Sequence, residues 1–178
     1  MKMSGEEVIA APIANVWAAL NDPKILQACI PGCEAIKQNS PTDMEARVVI
    51  KVGPVKAGFN GKVKLSDLNP PHSYRISGKG EGGFAGFAEG GATIKLEIVP
   101  EGTKMIYDVD AHVGGKLAML GSRLIDSTAQ SLAAQFFAKF AKLAAIKKKV
   151  AVKKIVAQKV AVKKVTPKKV AKKITKKK

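Results

Sequence analysis

Residues 114–144 read GGKLAMLGSRLIDSTAQSLAAQFFAKFAKLA, the one long helical pattern in the chain. Ile125, Ala129, Leu132, Phe136, Phe140 and Leu143 recur at steps of three and four residues, which places them on one face of an α-helix. Arg123, Gln130, Gln135 and Lys142 fall off the centre of that stripe. Three of the six phenylalanines lie here, so the predicted helix needs a large apolar surface to rest on.

The preceding chain can supply that surface. Residues 2–10 read as a short strand, and Pro12 suits the first turn of a helix over Ile13, Val16, Trp17 and Leu20. Asp22 as N-cap and Pro23 in the first turn start a second short helix carrying Ile25 and Leu26, ended by Ile30-Pro31-Gly32. A meander of strands follows over 45–52, 55–68, 73–80, 84–100 and 103–113. Val63 and Leu65 alternate with Lys62 and Lys64, and Ile94, Leu96 and Ile98 with Lys95 and Glu97, as in antiparallel strands with one buried face. The order β, two short helices, five or six strands, one long helix predicts an α+β domain. Its sheet has to curl around the helix, and glycines at 58, 61, 78, 80, 82, 83, 86, 90 and 91 permit the bends.

The formal net charge of +17 is unevenly spread. Residues 147–178 hold fifteen lysines and no acid, while all fourteen acidic residues lie at or before Asp126. The body, 1–146, is therefore a near-neutral domain, and the charge belongs to the tail, 147–178. Two cysteines do not make a secreted disulfide framework, and Glu6 and Glu7 interrupt the start where a signal peptide needs an apolar run. No run approaches the roughly 18–20 apolar residues of a membrane span. The expected location is the cytoplasm.

Catalytic constellations are hard to find. The only histidines, His72 and His112, have no metal-ligand spacing to a cysteine or carboxylate, so no metal site is expected. Cys29 and Cys33 are separated by three residues, not the two of a redox motif, and read as small apolar residues at a tight corner. Ser122, Ser127 and Ser131 have no evident base, and Asp108 and Asp110 read as solvated strand positions. Gly78, Gly80 and Gly83 satisfy G-x-G-x-x-G formally, but a strand follows where a dinucleotide site needs a helix. The expectation is a protein without catalytic residues.

What the body does offer is apolar material facing inward. Trp17, Phe59, Phe84, Phe87, Met105, Tyr107, Met119, Leu120, Phe136 and Phe140 are the candidates for lining a cavity, with core packing as the competing role. A strongly curved sheet around one helix leaves space between them, and such a gap suits a hydrophobic small molecule.

Three segments carry a resemblance: VWAALNDPKILQACIPGCE (16–34), GKVKLSDLNPPHSYRISGKGEGGFAGFAEG (61–90) and VGGKLAMLGSRLIDSTAQSLAAQFFAKF (113–140). Over residues 1 to 144 the chain resembles the CoxG family of aerobic carbon monoxide dehydrogenase, within the superfamily of START and birch-pollen-allergen-like domains. The resemblance implies a helix-grip fold, a curved antiparallel sheet around a long C-terminal helix, with a cavity for a lipophilic ligand such as a quinone. It implies no covalent cofactor and no enzyme activity of the CoxG protein itself. It also implies a molybdenum hydroxylase of the carbon monoxide dehydrogenase type as partner, recruited to the cytoplasmic membrane. Cys29 and Cys33 stand in the family's CIPGC signature, and Gly114, Gly115, Gly121 and Arg123 in its GGKLA-x-LG-x-R signature. Neither has an assigned chemistry.

The tail repeats every ten residues: KVAVKKIVAQ, KVAVKKVTPK, KVAKKITKKK from Lys149 onward. A ten-residue step leaves each copy about 80° out of phase on a helix, so its valines build no single stripe. With β-branched residues, Pro167 and lysine repulsion, disorder in solution is expected. Lys147, Lys148, Lys149, Lys153, Lys154, Lys159, Lys163, Lys164, Lys168 and Lys169 are the candidates for binding an anionic membrane. Nucleic acid, held through phosphates alone, is the competing partner. A lipophilic-ligand body favours the membrane, on the inner face of which the protein is expected to sit peripherally. The alternative is a ligand-sensing domain with a nucleic-acid-binding tail.

Overall fold

The computed structural model describes residues 1–162, with side chains as far as Ala145; residues 163–178 lie outside the described residues. Strand β1 spans Lys2–Ile9, followed by helices α1 (Ile13–Leu20) and α2 (Pro23–Cys29). Six strands come next: β2 (Cys33–Ser40), β3 (Asp43–Val52), β4 (Val55–Asn69), β5 (Ser73–Glu81), β6 (Phe87–Val99) and β7 (Gly102–Gly114). Helix α3 runs Ser122–Val162.

The seven strands form one antiparallel sheet in the order β1-β7-β6-β5-β4-β3-β2. Consecutive hairpins lay β2 through β7 side by side, and β1 closes on β7 from Lys2 opposite Asp110 to Ile9 opposite Thr103. The sheet is curved around α3, the helix-grip arrangement. Glycines sit where it bends: Gly78 faces Gly90 across β5 and β6, and Gly61 faces Gly80 across β4 and β5. At Gly90 a Cβ would stand 2.2 Å from the Asp110 carbonyl oxygen, so the neighbouring backbone can approach only a glycine.

The expected elements are present, with differences at their edges. Strand β2 is additional to the predicted meander; the polar run EAIKQNS gives little alternation, and its pairing with β3 is broken by two register shifts. Pro12 is the N-cap of α1, outside its first turn, whereas Asp22 caps α2 as expected by accepting from the Lys24 amide at 3.0 Å. The predicted long helix starts late. Residues Gly115–Leu120 form a 3-10 turn, and Gly121, at φ 85°, breaks the chain before α3 begins. A similar short turn, Gly83–Ala85, delays the start of β6. The sequence predicts disorder over the whole tail, 147–178; the described backbone of α3 instead continues in helical form to Val162, and the rest of that expectation, over 163–178, lies outside the described residues.

The core gathers between α3, the two short helices and the concave face of the sheet. Ile9, Val16, Ala19, Leu20, Leu65, Leu96, Met105, Phe140 and Ala144 are buried there in one cluster. A smaller cluster of Val52, Phe59, Ala85 and Leu117 closes the end where α3 begins. Thr103, fully buried, donates its hydroxyl to the Ala11 carbonyl at 2.7 Å and ties β7 to the entry of α1. Strand alternation overreached at one residue: Ile94 and Leu96 are buried, but Ile98, beside the β6–β7 turn, is 73% exposed.

Burial separates the phenylalanines by consequence. Phe140→Ala, at a fully buried position, is expected to lower the unfolding free energy by about 3–5 kcal/mol. Phe84→Ala, whose ring is 82% exposed beneath the Lys116 ammonium, is expected to lose less than about 1 kcal/mol. Urea denaturation of both variants checks the contrast, and equal losses would remove Phe140 from the core.

Candidate functional site

Between α3 and the concave sheet lies a chamber of about 280 Å³. Helix α3 contributes Phe136 and Phe137; α1 and α2 contribute Leu20 and Leu26; the strands contribute Met44, Val63, Leu65, Tyr74, Ile76, Ile94 and Met105. The alternation of β4, β5 and β6 points these side chains inward together. An apolar vestibule of about 370 Å³ adjoins it, lined among others by Met3, Pro31, Tyr107, Ala129, Leu132 and Ala133. Ile30, Ile94, Phe136 and Phe137 line both spaces, so they stand between them. No charged side chain lines either one.

Aromatic contacts order the boundary between the two spaces. Phe137 stacks on Tyr107 with centroids 5.0 Å apart and meets Phe136 edge-on at 5.2 Å; Phe136 in turn stacks on Phe140 at 5.5 Å. Tyr107 lies over Gly5 of β1, where a Cβ would stand 2.3 Å from its hydroxyl. Deeper in, Trp17 meets Tyr74 edge-on at 5.3 Å.

The expected lining residues divide into several places. Met105 and Phe136 line the chamber, and Tyr107 lines the vestibule. Trp17 and Phe140 belong to the packed core around them. Phe59 and Leu120 pack in the smaller cluster at the far end, and Phe87 lies against His112 at 6.0 Å. Phe84 and Met119 do not face inward at all: they are 82% and 84% exposed, carried outward by the two 3-10 turns. The aliphatic lining and Tyr74 were missed because aromatic size alone does not tell an inward side chain from an outward one. The inward alternation of Val63, Leu65 and Ile94 was the available signal.

Other polar features give no competing site. Burial pushes both the Cys29 and Cys33 thiols up, so they stay protonated, and the Cys33 thiol donates to the Ala35 carbonyl at 3.6 Å. Among the described residues no group of three or more His, Cys, Asp and Glu could hold a metal ion. A larger hollow of about 450 Å³ is lined by charged side chains of both signs, Lys37, Glu45, Arg47, Lys62, Lys79 and Glu81; Arg47 pairs with Glu34 at 2.8 Å and Lys79 with Glu81 at 3.2 Å. Gly78 and Gly80 lie within β5 and Gly83 opens the 3-10 turn that leads into β6, so the triplet does not precede the α-helix that a dinucleotide site needs.

Burial also pushes the Tyr74 hydroxyl well above its ordinary range, and Tyr107 is raised by burial and by Glu7. A raised folded value means stability complete below the ordinary tyrosine value of about 10 and lost as the pH climbs above it. With only two tyrosines in the chain, phenolate absorbance can be assigned. Both are expected to titrate late, the Tyr74 signal appearing only as the fold opens. Two ordinary titrations in the folded protein would contradict the enclosed chamber.

The fold and cavity can be set beside known proteins. A conserved protein from Geobacillus kaustophilus is 32% identical, with a TM-score of 0.76, over 82% of this chain and 95% of its own. Ara h 8.0201 matches at 15% identity and a TM-score of 0.57, covering 81% of this chain and 97% of its own. A protein from Thermus thermophilus matches at 16% identity and a TM-score of 0.56, covering 80% and 99%. The last two show the fold alone. No curated protein matches the chain. The model of the carbon monoxide dehydrogenase CoxG family matches residues 5–145, the whole helix-grip body, and the chain belongs to that family.

Proposed function

We propose that this protein is a non-catalytic carrier and adaptor that takes a lipophilic small molecule, a quinone being the best fit, into the chamber beneath α3. The observation that carries this reading is an interior space with no charged lining, continued by an apolar vestibule. A charged or strongly polar substrate would lose its hydration there without compensation, whereas a ring with an apolar chain loses little. Membership of the CoxG family supports a molybdenum hydroxylase of the carbon monoxide dehydrogenase type as the partner served. No helix among the described residues is long and apolar enough to cross a membrane. In this reading the lysines of 147–178 hold the protein peripherally on anionic lipid at the inner face of the cytoplasmic membrane. Each lysine near such a surface contributes about 1 kcal/mol, so a fraction of the fifteen suffices.

Two experiments bear on the two halves of the proposal. The full chain, purified from its native host and extracted with organic solvent, is expected to yield a stoichiometric quinone or other isoprenoid by mass spectrometry. A clean extract, with no rise in melting temperature on adding quinone, would make the chamber ordinary loose packing. Deleting residues 147–178 is expected to abolish binding to phosphatidylglycerol vesicles and leave quinone binding unchanged. Vesicle binding that survives the deletion would take the membrane role away from the tail. If duplex DNA displaced the full chain from vesicles while vesicles failed to displace it from DNA, nucleic acid would be the tail's partner.

A further inference from the structure

Among the side chains that line the chamber, every heavy atom is carbon or sulfur except the Tyr74 hydroxyl oxygen. Tyr74, on β5, is 3% exposed and lines the space, with its ring held edge-on against Trp17 at 5.3 Å. Its hydroxyl makes none of the hydrogen bonds found among the described residues. Yet among those residues no fully enclosed side-chain nitrogen or oxygen lacks a partner. The two facts are compatible only if the hydroxyl borders open space. In a residue this deeply buried, that space is the chamber.

We propose that the Tyr74 hydroxyl is the polar anchor of the cavity, donating its hydrogen bond to a carbonyl oxygen of an otherwise apolar, ring-bearing ligand. This rests on the reading of the cavity as a ligand site and narrows the chemistry that site takes. A phenol in an apolar wall, with no hydrogen-bond partner in the protein, has only what enters the chamber to pair with. A ligand that is hydrocarbon throughout would leave it so. A ligand with one inward-facing carbonyl satisfies it and is held in a defined orientation, because the chamber offers no second side-chain donor. Burial keeps the hydroxyl protonated, so it remains a donor across the physiological pH range. The rest of the ligand then lies past Phe136 and Phe137 toward the vestibule, which is apolar and open.

The test compares two probes of the same ring skeleton, menadione with its two carbonyls and methylnaphthalene with none, titrated by calorimetry into the full chain and into Tyr74→Phe. The full chain is expected to bind menadione about three- to ten-fold more tightly than methylnaphthalene. Tyr74→Phe is expected to remove that preference by weakening menadione alone. The ligand-free variant is expected to melt at the same temperature as the parent or higher, because the hydroxyl it loses has no partner in the protein. If Tyr74→Phe binds menadione as well as the parent does, the anchor is refuted while the ligand site stands. If the ligand-free variant melts lower, the hydroxyl has a structural partner, and the anchor is refuted as well. If the parent binds neither probe, the ligand reading falls and the anchor with it.

Discussion

A straight helix cannot fill the hollow of a sheet that curves around it, and the rest of this structure follows from that mismatch. An α-helix is a cylinder of about 10–12 Å with its side chains. Phe136, Phe137 and Phe140 widen the apolar face of α3 where it meets the sheet, and Phe140 is fully buried. Toward the start of the helix the stripe narrows to Ala129, Leu132 and Ala133, which do not reach across. The short helices α1 and α2 add Leu20 and Leu26 to the wall of the space that remains.

Charge and polarity are partitioned by the same geometry. The outward positions of the sheet set opposite charges side by side, as with Lys62 opposite Glu45, and Lys104 beside Glu6 and Glu97. Such surface pairs contribute little to stability but keep the body near neutral. Inward positions carry almost no polar atoms. Those that occur are committed, as Thr103 is to the Ala11 carbonyl, or left facing the chamber, as Tyr74 is. A surface that holds its charges apart from an interior with none suits a protein that handles an apolar cargo between polar surroundings.

Much of this was legible in the chain itself. The helix stripe from Ile125 to Leu143, the two short helices with Asp22 as a cap, and the hairpins at Gly53-Pro54 and Glu101-Gly102 all came from local periodicity and turn chemistry. The family came by resemblance over long contiguous segments, and not from periodicity. The helix start was misplaced because Lys116, Leu117 and Leu120 mimic helical spacing while Gly115 and Gly121 take left-handed backbone that ends it. Strand β2 was missed because a short polar edge strand shows no alternation.

By itself the sequence determined the class of fold, the family and the separation of a near-neutral body from a lysine-rich tail, since those depend on pattern and composition along the chain. Which side chains meet inside was decided only by the tertiary structure. Sheet curvature and register bring Leu20, Met44, Val63, Tyr74, Ile94 and Phe136 around one space from six different elements, and no spacing along the chain encodes that convergence. The same folding turned Phe84 and Met119 outward and set Tyr74, one residue of an alternating strand, in the wall of the cavity.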